Sequence, residues 1–200
     1  MRLNELLNER VSYSHPMIIV DIQPAYQYQG GHAQDNMTVD LMNFLNNQTG
    51  TIIAYYNGSG EGFTDDTIHD VQNYFVEKGL NENKIHNIQF IEKTYGFFRA
   101  WMDQEVDSGI IINLLREMNR QRVNDSRDLN PNSDIFNQFD YETWMKDDPI
   151  YFPDINIAQL KSMSGALLCG GSKHECLKEI QLLMSVYNIR YKLARNFIYG

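Results

Sequence analysis

Met17-Ile18-Ile19-Val20-Asp21 is an uninterrupted apolar run closed by a charge. Pro16 stops whatever precedes it, while Pro24 and the Gly30-Gly31 pair make the following segment a loop. A strand with no polar face is covered on both sides, as interior strands of parallel sheets are. The run therefore predicts a central parallel strand ending at Asp21. Gly165-Ala166-Leu167-Leu168-Cys169 is a second run of the same kind. Behind it come the tight turn Gly170-Gly171-Ser172 and an amphipathic helix over 173–187, with Cys176, Leu177, Ile180, Leu183, Met184 and Tyr187 on its apolar face.

Between these two runs, strands and helices alternate. The pattern predicts helices over 37–47 and 67–78, the second closed by Gly79, and strands over 51–56 and 88–91, with Lys93 just past the end of the latter. A last strand is expected over 190–194, and an N-terminal amphipathic helix over 2–12. Residues 94–122 read as two helices split near Asp107, and 155–162 as a short one. Alternating elements imply a mainly parallel sheet layered between helices. The polar stretch 123–150 reads as an inserted lid or interaction segment over the sheet's edge. Its aromatics Phe136, Phe139, Tyr141 and Trp144 could anchor it or face a partner, a second copy of the chain included.

Bulk properties narrow the function classes. The chain's 200 residues suit one domain, and 42% hydrophobic residues suffice for a core. A net charge of −9 argues against a general nucleic-acid surface, because phosphate affinity rests on Lys and Arg. Two cysteines without staple-like spacing, no apolar run of membrane length and no signal-peptide pattern point to a reducing cytoplasm.

In an open parallel sheet, ligands bind beyond the carboxyl ends of the strands. Asp21, Lys93 and Cys176 all arrive there. A thiol in the first turn of a helix feels the helix N-terminus, which is expected to lower its pKa and favour the thiolate. Asp21 could take the thiol proton, and Lys93 could hold both charges. The Gly-rich loop 57–62 has neither GxGxxG nor a Walker Lys-Ser/Thr and reads as a turn. Asp66 and His69, expected on one helix face, are two residues and do not make a metal site.

Ile18-Ile19-Val20-Asp21-Ile22-Gln23 followed by Tyr26 resembles the first motif of the isochorismatase-like cysteine hydrolases. That motif is an apolar strand, Asp-x-Gln, and an aromatic five residues after the Asp. Gly171-Ser172-Lys173-His174-Glu175-Cys176 resembles the last motif, and Lys93 with Tyr95 and Phe98 resembles the middle one. The resemblance implies a three-layer α/β/α fold over 1–200, with an insertion around 105–150. It implies Cys176 as nucleophile, Asp21 as base and Lys93 as electrostatic support. Gln23, Tyr26 and Phe98 would face the substrate, and His174 and Glu175 would bracket the oxyanion-hole peptides. The implied substrate is a small amide or related small molecule. The metal ligands of nicotinamidases have no counterpart here, so no cofactor is expected. The pattern as a whole also resembles uncharacterised proteins of tailed bacteriophages, which would put the chain in a host cytoplasm.

Two further readings use the same residues. A metal-dependent nuclease of the PIN-like or NYN type also starts with an apolar strand ending in Asp, and Asp21, Asp147, Asp148 and Glu175 could gather around Mg²⁺ or Mn²⁺. Alternatively, the fold is a non-catalytic, hydrolase-like binding protein whose insertion is the partner surface.

Overall fold

The computed structural model describes residues 14–26, 31–58, 64–93, 101–102, 105–138, 149–152 and 155–200. In chain order the elements are β1 (Met17–Val20), α1 (Gly31–Asn46), β2 (Ile52–Asn57), α2 (Ile68–Glu77), α3 (Glu82–Ile85), β3 (Ile88–Lys93), α4 (Ser108–Gln121), α5 (Ile157–Ser162), β4 (Ala166–Gly170), α6 (Cys176–Val186) and β5 (Tyr191–Ile198). Short 3-10 turns lie at Pro24–Tyr26, Ser126–Asp128 and Asp134–Asn137. The expected helix over 2–12 lies outside the described residues, as do Phe139, Tyr141, Trp144, Asp147 and Asp148.

Five strands form one sheet in the order β3-β2-β1-β4-β5, and every pairing is parallel. The all-apolar runs sit where a strand is covered on both faces: Met17, Ile18, Ile19 and Val20 have no exposed surface at all. Alternate residues point to opposite layers. Met17 and Ile19 pack with Leu41, Met42 and Leu45 of α1 and with Val71 and Phe75 of α2. Ile18 and Val20 pack with Leu114 and Met118 of α4 and with Leu177 and Ile180 of α6. The result is a three-layer α/β/α arrangement. Each such fully buried aliphatic side chain stabilises the fold by roughly 1.5–3 kcal/mol. Among the described residues no helix is long and apolar enough to cross a membrane.

Element boundaries differ from the sequence expectations for local reasons. The first long helix starts at Gly31, six residues before the expected Met37. Thr67 caps α2 with Asp70 in a reciprocal capping box, which sets that helix's start. Gly79, at φ +105°, follows its end. α6 begins at Cys176, three residues later than expected, because Ser172 O already accepts from both Glu175 N and Leu177 N across a turn. β5 runs on to Ile198, with Lys192 and Arg195 exposed along this edge of the sheet. Charges there discourage pairing with another chain.

The described part of the insertion packs onto α4. Its ends are tied where Ser126 N donates to Ile150 O (2.9 Å) and Ile150 N to Ser126 Oγ (3.0 Å). Glu117 of α4 accepts from Arg120, Gln121 and Ser133, and these bonds hold its carboxyl well below the usual range, at about 2. Phe136 is half-buried against the same core, an anchoring role.

Candidate active site

β1 and β4 are neighbours, with Val20 paired to Gly170, yet the chain leaves them toward opposite layers. This is a topological switch point, where the loops diverge and leave a crevice at the carboxyl edge. Asp21 follows β1 directly, and the turn leading to Cys176 follows β4. Lys93, the last residue of β3 rather than just past it, reaches in from two strands away.

The structure brings these three side chains together. Lys93 Nζ lies 3.0 Å from Asp21 Oδ2, and both side chains are 1% exposed. The Cys176 thiol is buried close enough to the same carboxylate to feel its charge. Burial pushes the Asp21 carboxyl above its ordinary range, against the pull of Lys93 and the thiol. Burial alone would lower the Lys93 pKa, but the Asp21 charge first, with the other acidic groups around it, outweighs burial and keeps the ammonium protonated.

The thiol corrects one expectation. Burial, then the adjacent Asp21 charge, push Cys176 well above a free thiol rather than below it. The resting group is therefore a thiol beside a carboxylate. Cys169 is pushed up by burial alone and is fully enclosed. Iodoacetamide is expected to alkylate Cys176 several-fold faster than Cys169, because only Cys176 has an adjacent base. Peptide mass spectrometry over a time course checks this, and equal rates would contradict it.

Backbone geometry fixes the cluster. Asp21 sits at φ +52°, a left-handed conformation that costs a non-glycine residue roughly 1–2 kcal/mol. Its N–H donates to Tyr55 O at 2.9 Å. Gly170, at φ +102°, approaches so closely that an added Cβ would lie 2.0 Å from Val20 O. At Gly171 an added Cβ would strike the Tyr199 ring at 2.1 Å. The double glycine is thus a packing requirement between strand ends. The peptide joining Gly171 to Ser172 is cis.

Several other expected site residues have different tasks. Gln23 is buried and turned toward β2: its Oε1 accepts from Asn57 N at 2.8 Å, and its Nε2 donates to Asn57 O at 2.9 Å and Asp66 Oδ2 at 2.8 Å. It clamps the loop after β1 to the end of β2 and does not face a substrate. Tyr26 stays close to the cluster, its hydroxyl accepting from Asn57 Nδ2 at 2.7 Å, and burial pushes it up to about 12. Asp66 precedes the cap of α2 and also accepts from Ala25 N, while His69 is exposed, so they do not share a helix face. Among the described residues no group of three or more His, Cys, Asp or Glu is placed to hold a metal ion. Phe98 and Tyr95 lie outside the described residues.

Of the two residues expected to bracket the oxyanion hole, His174 is exposed, and the Glu175 N–H is already donated to Ser172 O at 3.1 Å. The Lys173 and Leu177 amides are likewise engaged, by Tyr199 O and Ser172 O. The turn's amides without a backbone partner among the described residues are those of Ser172, His174 and Cys176.

One buried acid escaped the sequence reading. Glu179 is 2% exposed and contributes negative charge felt by both Lys93 and Cys176. Its i, i+3 spacing from Cys176 puts both on one helix face, a signal the sequence does carry. A polar cavity of about 430 Å³ lies elsewhere, between α4 and the insertion, lined by carboxamides such as Asn113, Gln121 and Asn130. It shares no residue with the Asp21 cluster, so the charge arrangement, not cavity size, identifies the candidate site.

No protein-family model, curated protein or solved structure matches the chain.

Proposed function

We propose that the chain is a cysteine hydrolase of the isochorismatase-like kind, acting on a small amide or related small molecule. The observation that carries this reading is the buried Lys93–Asp21 pair with the Cys176 thiol against the same carboxylate, at the switch point of a parallel sheet.

In this reading Asp21 removes the thiol proton as Cys176 Sγ attacks the substrate carbonyl carbon. The carbonyl π pair moves to oxygen, where amides of the 172–176 turn receive it. Collapse of the tetrahedral adduct breaks the C–N bond, and Asp21 returns its proton to the departing amine. Water then attacks the thioester with Asp21 again as base. The carbonyl carbon leaves as a carboxylic acid, and the thiol is restored. Lys93 remains charged throughout, balancing first the carboxylate and then the thiolate.

A general base works best with a pKa near the operating pH, and burial moves Asp21 in that direction. The active form needs Asp21 ionised, so activity is expected to fall on acidification at a pH above that of an ordinary aspartate. A pH profile of kcat/KM for ammonia release from small amides checks this. An acid limb at or below the usual aspartate range, or no acid limb, would contradict Asp21 as the base.

The nuclease reading loses support at the same place: the Lys93 ammonium lies against Asp21 Oδ2, an oxygen that a divalent cation would otherwise share. Two free, buried cysteines support a reducing cytoplasm as the compartment.

A further inference from the structure

Tyr199 lies one residue beyond β5, in a position that no sequence motif singled out. Its hydroxyl donates to Asp21 O at 2.8 Å. Its N–H donates to Gly170 O at 3.2 Å, and its carbonyl accepts from Lys173 N at 2.9 Å. Its ring fills the space above Gly171 that any Cβ would need. One residue therefore touches the segment carrying the base and the turn leading to the nucleophile.

We infer that Tyr199 is a positioning residue, which fixes the left-handed Asp21 backbone against the 170–173 turn so that the carboxylate meets the Cys176 thiol. The inference rests on the proposed Asp21–Cys176 pairing. Asp21 has φ +52°, and a carbonyl in that conformation keeps its direction only when something holds it. Tyr55 O holds the Asp21 N–H, and the Tyr199 hydroxyl holds the Asp21 carbonyl, so the peptide groups on both sides of the carboxylate are fixed. The ionisable groups facing the thiol and the carboxylate are Lys93, Glu179, Tyr26 and Tyr199 itself.

The test reads the rate of iodoacetamide alkylation at Cys176 against pH in the full chain, for wild type, Asp21→Asn, Tyr199→Phe and Gly171→Ala. Tyr199→Phe removes the hydrogen bond and keeps the ring. Gly171→Ala pushes the ring away and keeps the hydroxyl, so it provides a second route should the first variant fold poorly. Asp21→Asn is expected to displace the profile, and both other variants should displace it in the same direction, with at least a threefold rate change at neutral pH. If Asp21→Asn displaces the profile while Tyr199→Phe and Gly171→Ala superimpose on wild type, Tyr199 has no positioning role and the Asp21–Cys176 pairing stands. If no variant displaces it, the pairing itself fails, and the role of Tyr199 with it. A purely structural role would lower the melting temperature without moving the profile.

Discussion

Cys176→Ala is expected to lower kcat for amide hydrolysis by at least about 10³-fold while leaving the fold intact. The proposed chemistry has no second nucleophile to take over. Cys169, the other thiol, is fully enclosed on the opposite face of the sheet. The side chain removed is small and lies at the first position of α6, so its loss trims one small member of the core cluster and breaks no backbone helix bond. Circular dichroism and a thermal melt establish folding, and ammonia release under saturating substrate measures the chemistry. A variant that keeps more than a tenth of wild-type turnover would remove Cys176 from the mechanism. Turnover that depends on Mn²⁺ and survives the change would return the nuclease reading, and folded wild type inert toward small amides would favour a binding protein.

Lys93→Met carries the largest expected effect on stability. Removing one partner of a buried ion pair leaves the other charge uncompensated, typically at a cost of about 3–5 kcal/mol. Here the remaining group is Asp21, already pushed upward by burial and then deprived of the cation that opposed the shift. The sign of the pH dependence follows. An acid whose pKa is raised by folding destabilises the folded state above that pKa and ceases to do so below its unfolded value. The deficit of the variant should therefore be full at pH 7 and shrink toward pH 4 as Asp21 takes up a proton. In wild type the raised Lys93 pKa gives the opposite limb: its contribution is present below the ordinary lysine value and is lost as pH rises through the raised one. Urea denaturation at pH 7, 5.5 and 4 measures both proteins. A deficit that does not change with pH would mean that the two charges do not depend on each other.

The layers of this fold were legible because they follow from unbroken apolar runs. Met17–Val20 and Ala166–Cys169 can only be strands covered on both faces, and such strands form parallel sheets with helices on each side. Asp21 and Cys176 were legible from position, as the charged and nucleophilic residues nearest those strand ends. Lys93 was legible as a strand-end residue, but not its distance from Asp21. Its approach depends on the register that sets Lys93 beside Asn57 and Tyr55 beside Val20, which no local pattern contains. The clamp made by Gln23 is hidden from the sequence for the same reason. Its partners Asn57 and Asp66 lie far along the chain, so a motif-position glutamine looked substrate-facing when it clamps two loops. Glu179 was overlooked because a charge beside Lys178 on an amphipathic helix ordinarily marks the solvated face. The direction of the Cys176 shift was misjudged because helix position is visible in sequence, whereas burial and the neighbouring carboxylate are not.

The pairing of β1 with β4 has a consequence for the order of events in synthesis. Leu167–Gly170 emerge from the ribosome long after Met17–Val20, with which they pair. Until then the base has no thiol to act on, and β1 has one neighbour in place of two. Nascent chains lacking the last two strands therefore cannot carry the proposed reaction, however well their first three strands have folded.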